Sequence, residues 1–425
     1  MVIVTIIIFI LLLLLRVPIA YVLGITTISY IIISGSTNML ITVPQRLFSG
    51  LESYSLLAIP LFMMAGEVMN KGGITRRLVQ FAQSIVGHFK GGLAYVNVIA
   101  NMLLASIIGS ATAQIAMMSR TIVPEMAKEG YDRNFSVATT ASAGLLGPII
   151  PPSMMFIIYG VASGTSIGTM FLAGIMPGIL LSFAFAGVIA YIGYKQKWQG
   201  RPRRKVSDML RSFIVVVPAL LVPVVIVVGI LSGAFTPTES AAVACAIAFI
   251  VGFFIYREIS LKDLPSIMIG TAISTSIITI LIGMANLFGW MLSAERIPQA
   301  LANWMTSLTE STLMFLLLIN ILLLLIGMVM DGIAALIILV PIFMPVIANF
   351  GIDPVHFGVI MCFNLTLGLL TPPVGNGLYI ASSLGEVKME HLVRSILPFL
   401  FVAIITLFIL TYLPQLVLWI PSLLE

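Results

Sequence analysis

Gly147-Pro148-Ile149-Ile150-Pro151-Pro152 and Gly368-Leu369-Leu370-Thr371-Pro372-Pro373 interrupt two otherwise apolar runs with the same punctuation. A fixed offset of 221 residues relates them, and it also carries Pro124, Gly130 and Asp132 onto Pro345, Gly351 and Asp353. The chain is therefore an internal repeat of one long unit, broken at equivalent points. Paired helix breaks in two hydrophobic halves point to the binding site of a secondary transporter.

Composition sets the solvent. Of the 425 residues 60% are hydrophobic and 9% charged, more apolar surface than a water-soluble fold can hide. Runs at 2–15, 17–34, 54–70, 93–127, 133–163, 166–194, 213–232, 237–256, 263–290, 313–349, 353–385 and 396–420 approach or exceed a bilayer span. The fold class expected is an all-α polytopic membrane protein with about 10–11 transmembrane helices, not a barrel of short alternating strands. The net charge of +5 sits in loops and reports orientation, so no nucleic-acid partner is implied. Residues 2–15 lack the basic lead and cleavage site of a signal peptide, so they read as a retained segment kinked around Arg16-Val17-Pro18. Cys245 and Cys362 have no metal spacing and read as core residues.

Two runs have the wrong length. Residues 93–127 and 313–349 are too long for one crossing at ~1.5 Å per residue, and too short for two with a loop. Each has a polar middle, Gly109-Ser110-Ala111-Thr112 and Met330-Asp331-Gly332. Re-entrant hairpins fit both. The basic segment Lys195 to Arg211 is placed in the cytoplasm. Lys71, Arg76, Arg77, Lys90, Lys128, Arg133, Arg257, Lys262, Lys388 and Arg394 then fall on the same side only if both runs are hairpins. The hairpins open to opposite sides, so the repeats are inverted. The expected division is 1–91 scaffold and arm helices and 92–200 the first transport repeat, with hairpin 93–127 and broken helix 133–163. Scaffold helices follow at 201–262, then the second repeat at 263–395, with hairpin 313–349 and broken helix 353–385, and a terminal helix at 396–425.

Freed carbonyls at a helix break suit a hard cation, and half-helix N-termini suit an anion. Gly147–Ser153 and Gly368–Asn376 are the expected ion- and substrate-binding breaks. Asp331 is the only acid of its run, and Ser110 is its mate at the 221 offset. An ionisable group at that depth is costly unless it is paired or used. Asp331 reads as a cation ligand, a proton carrier or a helix cap; Ser110 as a ligand or a hydroxyl bonded to backbone. Thr236-Pro237-Thr238-Glu239 reads as a capping box. Arg296, near an outer membrane face, reads as a partner of Glu295 or Glu310, with contact to an anionic substrate as the alternative. No nucleotide-binding glycine motif is present, and no second intramembrane aspartate accompanies Asp331 as proteolysis would require. An enzyme is not expected. Opposed closed-ended hairpins speak for alternating access over a passive channel.

At Gly109-Ser110-Ala111-Thr112-Ala113, Gly144 to Ser153, Phe235-Thr236-Pro237-Thr238-Glu239-Ser240 and Asp353-Pro354-Val355-His356 running to Gly375, the chain resembles the large membrane (M) subunit of the tripartite ATP-independent periplasmic (TRAP) transporters. The resemblance covers nearly the whole sequence. It implies an elevator-type member of the ion transporter superfamily in the bacterial inner (cytoplasmic) membrane. It also implies Na+-coupled import of a carboxylate, with sialic acid as the first choice. A C4-dicarboxylate or other carboxylate permease, or a stand-alone dicarboxylate/Na+ symporter, is the alternative. The partners implied are a small four-helix membrane (Q) subunit on a separate chain, a periplasmic substrate-binding (P) protein and membrane lipid. Carried over onto this sequence, one Na+ would sit among Ser110, Gly147, Ile150 and Pro152. The other would sit among Asp331, Gly368, Thr371 and Val374, with substrate near Thr112, Ser153 and Asn376. No organic cofactor is implied.

Overall fold

The computed structural model describes residues 2–15, 17–198, 200 and 205–423. Arg16 and residues 199 and 201–204 of the basic segment lie outside them. Among the described residues the chain is helical, without strands. Seven helices are long and apolar enough to cross a membrane, and a bent pair, Thr37–Ser49 with Tyr54–Lys71, would make eight. Large apolar side chains such as Val224, Val228, Ile273 and Ile277 stand outward on them, as lipid-facing residues do.

The repeat is visible in the backbone. Gly130 and Gly351, 221 residues apart, both hold the left-handed conformation, φ +84° and +64°. Glycine alone enters that region without a Cβ clash. Two residues on, Asp132 accepts from Phe135 N at 2.8 Å, and Asp353 accepts from Val355 N and His356 N at 2.8 and 2.9 Å. Each aspartate caps the first half of a broken helix. The halves are Arg133–Gly144 and Met154–Ser163 in the first repeat, and Pro354–Gly368 and Asn376–Gly385 in the second. Both breaks contain a cis bond, Pro151–Pro152 and Pro372–Pro373.

Inversion shows in how the broken helices are joined. At the start of the first, Arg133 Nε donates to Gly385 O at 2.8 Å and Nη2 pairs with Glu386 at 2.7 Å, at the end of the second. At the start of the second, the carbonyl of Pro354, the repeat mate of Arg133, accepts from Tyr159 Oη at 2.6 Å, near the end of the first. The start of each broken helix is thus fastened to the end of the other, by different chemistry at equivalent positions.

The hairpins are Gly92–Ile108 with Ala111–Thr121, and Thr312–Val329 with Gly332–Asn349. The arms of the second are 18 residues each, long enough by length and hydropathy to span. The expectation that this run is too short for two crossings therefore needs revision. What keeps its turn inside the protein is the docking of that turn on the break of the second broken helix, described below. Each second arm crosses to the other repeat: Ala111–Thr121 packs on Asn376–Gly385, and Gly332–Asn349 on Met154–Ser163. A buried amide cluster ties each first arm to its broken helix. Asn97 donates to Thr140 Oγ1 at 2.6 Å, and Asn364 donates to Asn320 Oδ1 at 2.8 Å.

Several of the remaining helices form a second body. Pro237–Ile250 and Leu264–Ala294 pack on Ala58–Lys71, and Leu264–Ala294 also lies along Ile19–Ile33. Residues 264–294, expected to open the second transport repeat, thus pack chiefly with the scaffold. The last long helix, Met389–Tyr412, which lies largely where a terminal helix was expected at 396–425, packs on Arg133–Gly144 and Ile167–Lys195. Two short amphipathic helices were not visible as apolar runs. Ile74–Val86 packs on the first hairpin and Ile297–Leu308 on the second. The capping box is present, with Thr236 N donating to Glu239 Oε2 at 2.7 Å and Glu239 N to Thr236 Oγ1 at 3.3 Å. Among the described residues Arg296 forms no ion pair with Glu295 or Glu310. The Glu295 carboxylate instead accepts from the hydroxyl of Tyr30, and Arg296 is left-handed at φ +54° where it opens Ile297–Leu308. Cys245 and Cys362 are both buried.

The Tyr159 fastening is closely packed: a methyl group on Gly358 would lie 2.3 Å from Tyr159 Cε1. Gly358→Ala is expected to destabilise the protein by about 1–3 kcal/mol, the cost of overpacking a rigid core. The thermal unfolding midpoint of the detergent-purified protein checks this, and an unchanged midpoint would show that the ring gives way freely.

Candidate functional site

Each hairpin turn sits on the break of its own repeat. Gly109, at φ +63°, ends the first arm, and Ser110 starts the second. A methyl group on Gly109 would lie 2.7 Å from Pro152 O, and one on Gly147 would lie 3.1 Å from Ser110 O and 2.5 Å from Gln114 Oε1. In the second repeat Gly375 N donates to Met328 O at 3.2 Å, and a methyl group on Gly368 would lie 2.3 Å from the backbone of Gly327. Glycine is required at these places because backbone meets backbone. On the outer side of the first break, Gly174 and Gly178 let Ile149 O and the Ile150 side chain lie against Ile167–Lys195.

The breaks leave acceptors unused. Leu145, Leu146 and Gly147 donate back three residues in a tightened turn, as do Leu369, Leu370 and Thr371. Among the described residues no hydrogen bond reaches the carbonyls of Gly147, Ile150, Pro152, Thr371 or Val374, whereas Gly368 O accepts from Thr371 N at 3.1 Å. Carbonyls freed from helix bonding at membrane depth call for another partner. At the turns, Ser110 Oγ lies 3.2 Å from Thr112 Oγ1. Asp331 Oδ1 accepts from Ile333 N at 3.0 Å, so the aspartate does cap its helix. Its second oxygen has no hydrogen-bond partner among the described residues.

Both turns open on one cavity of about 310 Å³ between the two bodies. Ser110, Thr112 and Asp331 line it, with Pro148 and Leu369 from the breaks. The other wall is scaffold: Glu67 and Asn70 on Ala58–Lys71, Thr271 and Ser274 on Leu264–Ala294. Of the three expected substrate residues only Thr112 lines this cavity. Ser153 is 0% exposed; its hydroxyl donates to Pro148 O and accepts from Phe156 N at 3.3 Å, holding the break closed. Asn376 is exposed at the start of its half-helix, outside the lining. The scaffold wall was missed in the sequence. Glu67 carries the same signal as Asp331, a lone acid in an apolar run.

Two inverted repeats, each with a broken helix and a hairpin docked on it, around a cavity shared with a separate body, define a multi-pass membrane transporter. The pattern of the family described as "Tripartite ATP-independent periplasmic transporter, DctM component" matches residues 6–416, and the chain belongs to that family, as a large permease subunit and not an enzyme. It is 39% identical over 397 residues to the "C4-dicarboxylate TRAP transporter large permease protein DctM" of Pseudomonas aeruginosa, covering 92% of this chain and 93% of that one. It is 36% identical over 406 residues to the "Sialic acid TRAP transporter large permease protein SiaM" of Vibrio cholerae, covering 96% and 95%. The crystal structure of the YdaH transporter of Alcanivorax borkumensis matches with a TM-score of 0.64 at 14% identity, over 90% of this chain and 89% of that one, a likeness of fold.

The different placement of the expected substrate residues can be read chemically. With both native cysteines buried, Thr112→Cys is expected to react with a water-soluble thiol reagent at least about tenfold faster than Ser153→Cys, since reaction follows exposure. Equal rates would show that the first break opens to water.

Proposed function

We propose that this chain is the Na+-coupled import permease for an organic acid, with sialic acid the first substrate to test. In this reading it works in the bacterial inner membrane with a small four-helix membrane subunit, and a periplasmic binding protein delivers the substrate. The observation that carries the proposal is the pairing of unused carbonyls with a polar turn in each repeat. In the first repeat the Ser110 backbone meets Gly147 and Gly109 meets Pro152 O; in the second, the hairpin that carries Asp331 meets Gly368 through Gly327 and accepts from Gly375 N at Met328 O. Oxygen-only sets of this kind suit a hard monovalent cation, and the half-helix N-termini beyond the breaks favour the carboxylate. The two-body construction, with a cavity at their seam, supports movement of the repeats against the scaffold as an elevator.

The test is labelled sialic-acid uptake into proteoliposomes holding the chain, its small partner and the binding protein, with and without an inward Na+ gradient. Accumulation is expected only with Na+ and binding protein, and Asp331→Ala is expected to lower it by at least about tenfold, as loss of a charged ligand does. Na+-driven uptake of a different acid would replace the substrate and keep the mechanism. Uptake indifferent to Na+ would remove the cation reading of both turns.

A further inference from the structure

We infer that Glu67 makes the cavity select hydroxylated monocarboxylates over dicarboxylates. The inference rests on the proposed reading of this cavity as a carboxylate site and assigns its substrate class. Among the described residues lining the cavity, none is Lys, Arg or His, while two are acids, Asp331 on the hairpin wall and Glu67 on the scaffold wall. A substrate carboxylate therefore has no basic side chain to meet. Its charge is then balanced on the side of the turns and breaks, by the proposed cations and the half-helix N-termini.

The opposite wall offers different chemistry. Glu67 is half-buried and has no hydrogen bond or ion pair among the described residues. A carboxylate accepts hydrogen bonds and does not donate them. Beside it in the lining, Thr271 is 7% exposed, and its hydroxyl is buried with no partner. Asn70 and Ser274 extend this polar strip along the lining. A substrate hydroxyl satisfies this wall, because it donates to Glu67 and can exchange hydrogen bonds with Asn70 and Ser274. A second carboxylate does not: it brings only acceptors, and it brings negative charge toward Glu67. Built-in repulsion of this kind produces specificity as effectively as attraction. A wall made to bond a hydroxyl also discriminates against analogues lacking one, because its own groups are then left unpaired.

The purified large subunit with its small partner in nanodiscs, at constant saturating Na+, provides the test. Thermal stabilisation is titrated with gluconate, butyrate and succinate, which separate the hydroxyls from the second charge. In the wild type gluconate is expected to bind at least about tenfold more tightly than succinate, with butyrate between them. Glu67→Gln is expected to narrow the gluconate–succinate ratio by strengthening succinate, and Glu67→Asp to preserve it. Succinate equal to or tighter than gluconate in the wild type, or a ratio unmoved by Glu67→Gln, would overturn the assignment while leaving the carboxylate site intact. If no acid stabilises the complex at any Na+ concentration, the carboxylate site and the role of Glu67 fall together.

Discussion

Inside an apolar slab a peptide carbonyl released from its helix has no water to bond, and the whole architecture follows from that constraint. Two helices are broken, and each break is roofed by the turn of a hairpin at backbone contact. The roof requires glycine on both sides, at Gly109 and Gly147 in one repeat and Gly327 and Gly368 in the other. Side chains there would hold the turn away and leave the carbonyls facing lipid or each other. The roof does not satisfy them, however. It leaves them beside a turn that carries a hydroxyl or a carboxylate, the arrangement on which the proposed cation sites rest.

Enclosure of that kind needs a stiff frame, and the frame uses few polar contacts, buried between the arms and broken helices and partly exposed at the helix ends. The Asn97–Thr140 and Asn320–Asn364 bonds fix each hairpin arm against its broken helix. Arg133 and Tyr159 fasten the two broken helices end to end. Buried amide pairs are held firmly because their alternative is an unpaired group in a medium of low polarity. Several acceptors in these clusters, Asn101 Oδ1, Gln114 Oε1 and Asn364 Oδ1, still lack partners. Gln114 Oε1 lies close to Gly147, so the first break is bordered by acceptors on both its backbone and its side-chain side.

The features legible in the sequence are those the backbone imposes locally. A left-handed turn needs Gly130 and Gly351, a helix start after it favours Asp132 and Asp353, and a break needs glycine and proline; all of these recur at one offset and could be read directly. The hairpin turns were legible because a polar residue in an apolar run is expensive. The packing between bodies was not. Leu264–Ala294 looks like any other apolar helix, and nothing in its composition says that it lies along Ile19–Ile33 and Ala58–Lys71. The Tyr30–Glu295 contact joins residues 265 apart and displaced the local Arg296 pairing that proximity suggested. The short helices Ile74–Val86 and Ile297–Leu308 carry one apolar face each, so they vanish in a search for continuous runs. At the site, the turns and breaks were visible, whereas the scaffold wall with Glu67 and Thr271 depends on which helices meet across the seam.

That seam also decides how charge can move. Transferring an uncompensated charge past apolar surface costs several kcal/mol. Asp331 travels with the repeats in the proposed elevator, and Glu67 stays on the scaffold. With two proposed Na+ ions and one monocarboxylate, the moving body carries the charge of Asp331, two positive charges and one negative, which sum to zero. A dianion in the same place leaves a net negative charge on the moving body. It also meets Glu67 before the movement starts. Removing either the cations or the substrate unbalances the sum in opposite directions, so the fully loaded body crosses the barrier more easily than a partly loaded one. On the proposed reading coupling needs no further gate: it would follow from an acid fixed to the turn that moves, and selection from an acid fixed to the wall it leaves behind.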